Sequence, residues 1–265
     1  MRIGVIGLGK MGEAIIQGLK KSGSQYESAS GTTRSSDSAN EAGRRLSIPC
    51  HQDNRKLVRE SDFVFLGVKP HQAQKVLEEI QGELKPQHTL VSICASITLE
   101  QLKLWSGGKA SIIRAMPNTP CLVGQGMTVL TGVVADDRAK KVQAIFDSVG
   151  RTAWIEESLM DGATGLSGCG PAYVYLIIES LSEAGVKVGL PRKTATLLAA
   201  QTLLGASQMV LEQNAHPASL KDEVTTPAGC TIDGLMALEE GKLRVTLIKA
   251  VLAATKRSRA LRKAK

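Results

Sequence analysis

Ile3-Gly4-Val5-Ile6-Gly7-Leu8-Gly9-Lys10-Met11-Gly12 is the stretch on which the fold is decided. Ile3–Ile6 is a short apolar run of strand character, and the glycines that follow match G-x-G-x-x-G. Behind them Ala14, Ile15 and Leu19 recur at helical spacing, so the glycines occupy a strand-to-helix turn. Gly7 permits the tight turn, Gly9 lets the backbone approach a pyrophosphate, and Gly12 lets the helix pack closely on the sheet. The free N–H groups of that helix start face the anion. Gly7, Leu8, Gly9, Lys10, Met11 and Gly12 therefore read as a dinucleotide cradle. The plainer alternative is a glycine-rich turn in an ordinary α/β protein.

Outward from this turn, Phe63–Val68, Thr89–Cys94, Ile112–Met116 and Met127–Leu130 also read as strands. Amphipathic stretches at Lys10–Lys21, Ser36–Leu46 and Pro70–Ile80 separate the earlier ones, a pattern that predicts a doubly wound, mainly parallel α/β sheet of Rossmann type. After Glu156 nearly everything reads as helix, with breaks at Gly189-Leu190-Pro191, Asn214–Pro217 and Thr226–Gly229. The expected division is a nucleotide-binding domain over residues 1–155 and an all-helical domain over residues 156–265. Thr194–Leu211 is the most apolar long stretch; with Gln201 and Gln208 inside it, it reads as a buried helix and not as a membrane span.

The composition fits this division. Of 265 residues 43% are apolar and only 3% aromatic, so the core must be aliphatic, as parallel strands buried on both faces require. The formal charge of +8 is concentrated: Lys256–Lys265 carries six basic and no acidic residues, leaving +2 for the rest. With no aromatic residues between those charges to stack on bases, they read as a solvated helix end, and nucleic acid and membrane partners are not expected. Cys50, Cys94, Cys121, Cys169 and Cys230 form no C-x-x-C pair, and four scattered histidines show no ligand spacing, which argues against a metal site. A chain that enters a strand within its first residues leaves no room for a signal peptide, so a cytoplasmic location is expected.

The end of the second strand distinguishes the nucleotides. NAD-binding versions place an acidic residue roughly 20 residues on, where it accepts hydrogen bonds from the ribose hydroxyls. Here the segment is Thr32-Thr33-Arg34-Ser35-Ser36, with Arg34 standing 22 positions after Gly12. A guanidinium flanked by hydroxyls binds a 2′-phosphate through charge-assisted hydrogen bonds. Arg34 and Ser35, with Thr33 as a weaker contact, therefore select NADPH, with NADH the poorer cofactor. Three later strands run into Lys69-Pro70, Ala95-Ser96 and Pro117–Pro120 at the edge where open α/β sheets bind ligands.

Five blocks carry a family resemblance along essentially the whole chain: Gly7–Gly12, Val68-Lys69-Pro70, Met116-Pro117-Asn118-Thr119-Pro120, Gly165–Tyr173 and Asp222–Ile232. The chain resembles the pyrroline-5-carboxylate reductases. The first block is common to many dehydrogenases; the last two together are specific. One departure stands out: the family shows two glycines after Pro227, and here the first is Ala228.

The resemblance implies NADPH-dependent hydride transfer to a cyclic imino acid, giving proline. Thr231 then orients the ring nitrogen and is the catalytic residue, while Thr225, Thr226, Gly229 and Cys230 complete a substrate loop whose N–H groups at Gly229 and Cys230 hold the carboxylate. Capping of the following helix by Thr226 or Thr231 is the plainer use of that loop. The resemblance also places Ala95 and the Asn118 loop along the nicotinamide and Asn54 near the adenosine half. Lys69 either draws in the acidic substrate or merely flanks a turn. No side-chain general acid is visible, which leaves water as the proton source. β-Hydroxyacid dehydrogenases share the opening motif, but their catalytic lysine has no counterpart between Gly165 and Gly185. A non-catalytic NADPH sensor would have no use for Thr225–Thr231. The aliphatic helices Tyr173–Val188, Lys193–Leu211 and Leu243–Leu261 carry more apolar surface than one small bundle hides, and the resemblance implies an intertwined homodimer.

Overall fold

The computed structural model describes residues 1–21 and 26–263, so the last two residues of the basic tail lie outside the described residues. Two compact units are present: Met1–Cys169 with Ala253–Lys265, and Gly170–Leu252. The first alternates β1 (Arg2–Ile6), α1 (Lys10–Lys21), β2 (Ser28–Thr32), α2 (Ser36–Leu46), β3 (Cys50–His51), α3 (Asn54–Arg59), β4 (Phe63–Leu66), α4 (Ala73–Ile80), β5 (Thr89–Ser92), α5 (Leu99–Trp105), β6 (Ser111–Met116), β7 (Gly126–Thr131), α6 (Asp136–Asp147), β8 (Gly150–Trp154) and the short α7 (Met160–Ala163). The helix expected over Pro70–Ile80 begins as a 3₁₀ turn, Pro70–Gln72, with Pro70 in the first turn, where its missing N–H costs no intrahelical bond.

The eight strands lie in the order β3-β2-β1-β4-β5-β6-β7-β8. All neighbours are parallel except β6 and β7. Chain order reverses between β1 and β4, the kind of switch point at which open sheets bind ligands. Strand alternation separates two cores. Ile3, Val5, Phe65, Val91 and Ile113 face one side with α1 and α6, where Phe65 and Phe146 meet edge to face at 5.9 Å. Ile6, Val64, Leu66 and Leu90 face the other with Leu57, Leu77 and Leu102. Nearly all of these side chains are aliphatic, as the composition requires.

Two charged side chains, Arg114 and Asp161, are buried among the described residues of this unit. Arg114, on β6, is 1% exposed and stands 3.4 Å from Glu157. Burial pushes its pKa below the ordinary guanidinium value, against the opposing pull of Glu157 and Asp161. Asp161, equally buried, accepts a hydrogen bond from Ser258 Oγ at 2.7 Å and pairs with Arg262 at 3.4 Å. Glu157 also accepts the N–H of Leu99, in the first turn of α5, at 2.7 Å. Two arginines and two carboxylates thus form a charge-balanced cluster, with Arg114 and Asp161 buried and Glu157 and Arg262 partly exposed.

The second unit consists of α8 (Gly170–Lys187), α9 (Arg192–Gln213), α10 (Pro217–Glu223), α11 (Cys230–Glu240) and the first half of α12 (Leu243–Lys263). Gly185 lets α8 approach α9 closely, since a Cβ there would lie 2.7 Å from that of Ala195. The expectation of a buried helix at Thr194–Leu211 is corrected here. Within one chain α9 buries only Ala195 and Ala199, while Leu197, Leu198, Leu204 and Leu211 stand exposed. The stretch is hydrophobic, but α8 covers one face only. α9 is also long and apolar enough to cross a membrane by length and composition.

Candidate active site

The turn after β1 takes the form the glycine spacing demands. Gly7 adopts φ +90°, in the left-handed region, and its N–H donates to Thr32 O at 3.0 Å, tying the turn to the end of β2. A Cβ on Gly12 would lie 3.0 Å from Gly7 O and from Val5 Cγ1, so only glycine lets α1 sit this close to β1. At Gly9 the space is open: nothing stands within 4 Å of a hypothetical Cβ. An anion can therefore reach the backbone at Gly9, with the unspent first-turn amides of α1 beside it. This cradle fits a dinucleotide pyrophosphate.

At the end of β2 the side chains divide between structural work and exposure. Thr32 Oγ1 donates to Asn54 Oδ1 at 2.7 Å, and Asn54 Nδ2 donates to Glu79 at 3.2 Å. Asn54 therefore braces the start of α3 beside β2. Ser35 caps α2, its Oγ accepting from Ser38 N–H, and Thr33 Oγ1 donates to Ser35 O at 3.0 Å. Arg34 is fixed by its main chain, whose carbonyl accepts from Gln52 at 2.8 Å. Its guanidinium is exposed, and among the described residues no carboxylate pairs with it. The group is thus available to a phosphate, with the helix start of α2 beside it.

The other expected nucleotide residues lie at the same C-terminal edge of the parallel strands. Gly67 N–H donates to Ile6 O at 2.8 Å, which brings half-buried Val68 against the Gly7 turn. Lys69 is exposed and precedes the Pro70 turn. Ala95 follows β5 and precedes Ser96, a non-glycine residue at φ +60°. Asn118 follows β6 with its side-chain amide turned into the protein, toward Met127 and Ser167. Ser167 lies in a π-turn, Thr164–Gly168, that sequence periodicity did not mark.

Within the second unit, the loop between α10 and α11 holds the other expected residues. Thr225 closes α10, its Oγ1 donating to Lys221 O at 2.7 Å. Gly229 is the N-cap of α11, with no side-chain capping bond, so the capping role considered for Thr226 or Thr231 is not taken up. The first-turn amides of Cys230 and Thr231 consequently remain available to an anion. The N–H of Gly229 itself donates to Thr226 O at 3.1 Å and is spent within the loop. A Cβ on Gly229 would fall onto Thr226 Oγ1, so what Gly229 contributes is room.

Ala228 stands where the resemblance leads one to expect glycine. It adopts φ +55°, where an L-residue with a Cβ is strained by about 1 kcal/mol. Ala228→Gly is expected to raise stability by about 0.5 kcal/mol, the relief of strain outweighing the looser unfolded chain. Thermal unfolding measures this, with a Tm increase of about 1–2 °C at this chain size. A lowered Tm would mean that Ala228 is not strained.

Comparison with known proteins finds matches in both halves of the chain. The family described as "Pyrroline-5-carboxylate reductase dimerisation" matches residues 157–261, and "NADP oxidoreductase coenzyme F420-dependent" matches residues 2–96. The pyrroline-5-carboxylate reductase of Arabidopsis thaliana is 42% identical, over 98% of this chain and 95% of its own length. That of Methanosarcina acetivorans is 38% identical, over 99% of this chain and 98% of its own. Among solved structures, the Coxiella burnetii pyrroline-5-carboxylate reductase superposes with a TM-score of 0.92 at 37% identity, over 98% of this chain and 97% of that one. The Plasmodium falciparum pyrroline carboxylate reductase with NADP bound gives 0.87 at 36%, over 99% and 98%.

Proposed function

The chain belongs to the pyrroline-5-carboxylate reductase family, and we propose from that premise that it reduces pyrroline-5-carboxylate to proline at the expense of NADPH. The observation that carries the reading is the uncapped start of α11, where a threonine-bearing turn offers unspent amides to a small carboxylate. NADPH, when bound, supplies the hydride that reduces the C=N carbon. Gly7, Leu8, Gly9, Lys10, Met11 and Gly12 cradle its pyrophosphate. Arg34, with Ser35 and Thr33, takes its 2′-phosphate, and Asn54 stands by its adenosine half. Val68, Lys69, Pro70, Ala95 and the main chain around Asn118 line the remainder.

Cys230 and Thr231 donate their N–H groups to the substrate carboxylate, and Thr225 and Thr226 shape the loop around them. The Thr231 hydroxyl, able to donate and to accept, orients the ring nitrogen, and water supplies its proton. The protein's part is to position and to stabilise charge; a protonated imine is electrophilic without a metal.

In this division of labour residues 1–155 hold the nucleotide, and residues 156–265 carry the substrate loop and the subunit interface. The exposed leucines of α9 and the long apolar helices beside it in sequence support a homodimer in which a second copy covers them. Such burial also accounts for α9 without a membrane. Five free cysteines support a reducing, cytoplasmic setting.

The test is oxidation of NADPH, and separately of NADH, by the purified protein given pyrroline-5-carboxylate. Turnover favouring NADPH is expected. Arg34→Asp should lower kcat/KM for NADPH by about a hundredfold, the loss of a charge-assisted bond combined with repulsion, and leave that for NADH within a few-fold. Saturable NADPH binding without turnover would discard the reductase reading.

A further inference from the structure

Asn118 has its side chain committed in two directions. Its Oδ1 accepts the N–H of Met127, on β7, at 2.9 Å. Its Nδ2 donates to Ser167 O at 3.2 Å and stands 3.5 Å from Ser167 Oγ. Ser167 belongs to the π-turn Thr164–Gly168, where Cys169 N–H donates to Thr164 O at 2.9 Å. π-Turns interrupting a helical path recur at functional sites.

Sequence chemistry explains why Ser167 needs an outside donor. In a regular helix the carbonyl of residue 167 would accept the N–H of residue 171. Residue 171 is proline, which has no N–H to give. The Asn118 amide supplies a donor in its place. The same two segments meet again at Met116 and Gly168, where a Cβ on the glycine would lie 2.8 Å from Met116 Cε. Three contacts thus join the Met116–Pro120 loop to the π-turn and to β7.

We propose that Asn118 is a positioning residue. Its side chain does not bind the cofactor; it holds the Met116–Pro120 loop in place by bridging the Met127 amide and the Ser167 carbonyl. The inference rests on the reductase reading above, which gives that loop the task of lining the nicotinamide. Because the pyrophosphate and the 2′-phosphate are held at other strand ends, loosening this clamp costs rate and not nucleotide affinity. A displacement of about 1 Å at the reacting centre is enough to lower a rate about a hundredfold.

The experiment compares the full-length protein with Asn118→Ala and Asn118→Asp. The aspartate keeps an acceptor for Met127 N–H but loses the donor to Ser167. Both variants should lose ten- to a hundredfold in kcat, by order of magnitude, while the NADPH dissociation constant, titrated by fluorescence without substrate, moves by less than about threefold. Each change is then repeated with Pro171→Ala, which restores an N–H at that position. In that background the losses in kcat and in Tm caused by Asn118→Ala should both shrink.

A dissociation constant that rises as far as kcat falls would overturn the proposal, because the side chain would then contact the cofactor itself. Equal losses with and without Pro171→Ala would overturn it too. If Asn118→Ala does not fold, Asn118→Asp carries the same comparison. A wild-type protein that binds NADPH but never turns over would instead sink the reductase reading, and the Tm coupling between Asn118 and Pro171 would still decide the clamp.

Discussion

Gly229→Ala is expected to lower kcat/KM for pyrroline-5-carboxylate by about a hundredfold or more while leaving NADPH affinity unchanged. The backbone at Gly229 is extended, φ −82° and ψ 163°, a conformation every residue adopts. Lost flexibility is therefore not the cause. The added Cβ falls onto Thr226 Oγ1 and lies 3.2 Å from Thr226 O, so the threonine side chain must turn away and its carbonyl must shift. Such movement re-aims the first-turn amides of Cys230 and Thr231, and hydrogen bonds to a charged group weaken steeply with misalignment. Steady-state kinetics beside a fluorescence titration of NADPH separate the two effects. Activity within a few-fold of wild type would show that the loop is too plastic to fix the carboxylate. The contrast with Ala228→Gly, one residue earlier, sharpens the test: there a side chain is strained by its backbone dihedral, whereas here one would be expelled by its neighbour.

The largest stability effect is expected at Arg114. Arg114→Ala leaves the half-buried Glu157 and the buried Asp161 with half of their countercharge removed. Truncating one member of a buried ion network costs about 3–5 kcal/mol, and since Asp161 retains Ser258 and Arg262, a loss of about 3 kcal/mol is expected. For a chain of this size that corresponds to a Tm lower by about 6–12 °C. Glu157→Gln added to Arg114→Met should recover part of the loss, because removing both charges is milder than removing one. A Tm within about 2 °C of wild type for Arg114→Ala would mean that the region admits water freely.

The parts of the molecule fixed by local chemistry were readable in the chain. Gly7, Gly9 and Gly12 announce strand, turn and helix because each glycine answers a separate steric demand within six residues. The apolar runs gave β1, β4, β5, β6 and β7 because strands buried on both faces must be continuous. The two-residue β3 carries too few residues for any period to show, and β8, Gly150–Trp154 at a sheet edge, reads Gly-Arg-Thr-Ala-Trp, which is neither an apolar run nor an alternation. Arg114 interrupts an apolar strand without explanation, since its partner Glu157 stands 43 residues away. Pro171 was the available signal for the bond between Asn118 and Ser167, because a proline in a first helical turn leaves an upstream carbonyl seeking a donor. Burial of α9 is another matter: hydrophobicity says that a surface will be covered, and not by which chain.

The return of α12 to the first unit bears on when that unit can be finished. Asp161 receives its hydrogen bond from a residue 97 positions later in the chain. At roughly 5–20 residues per second of synthesis, the carboxylate waits about 5–20 s for that partner. The sheet strands emerge from the ribosome first, yet Asp161 lacks Ser258 and Arg262 until that stretch of α12 has itself emerged. The first unit is thus an early starter and a late finisher, its buried carboxylate waiting on chain made well after the sheet.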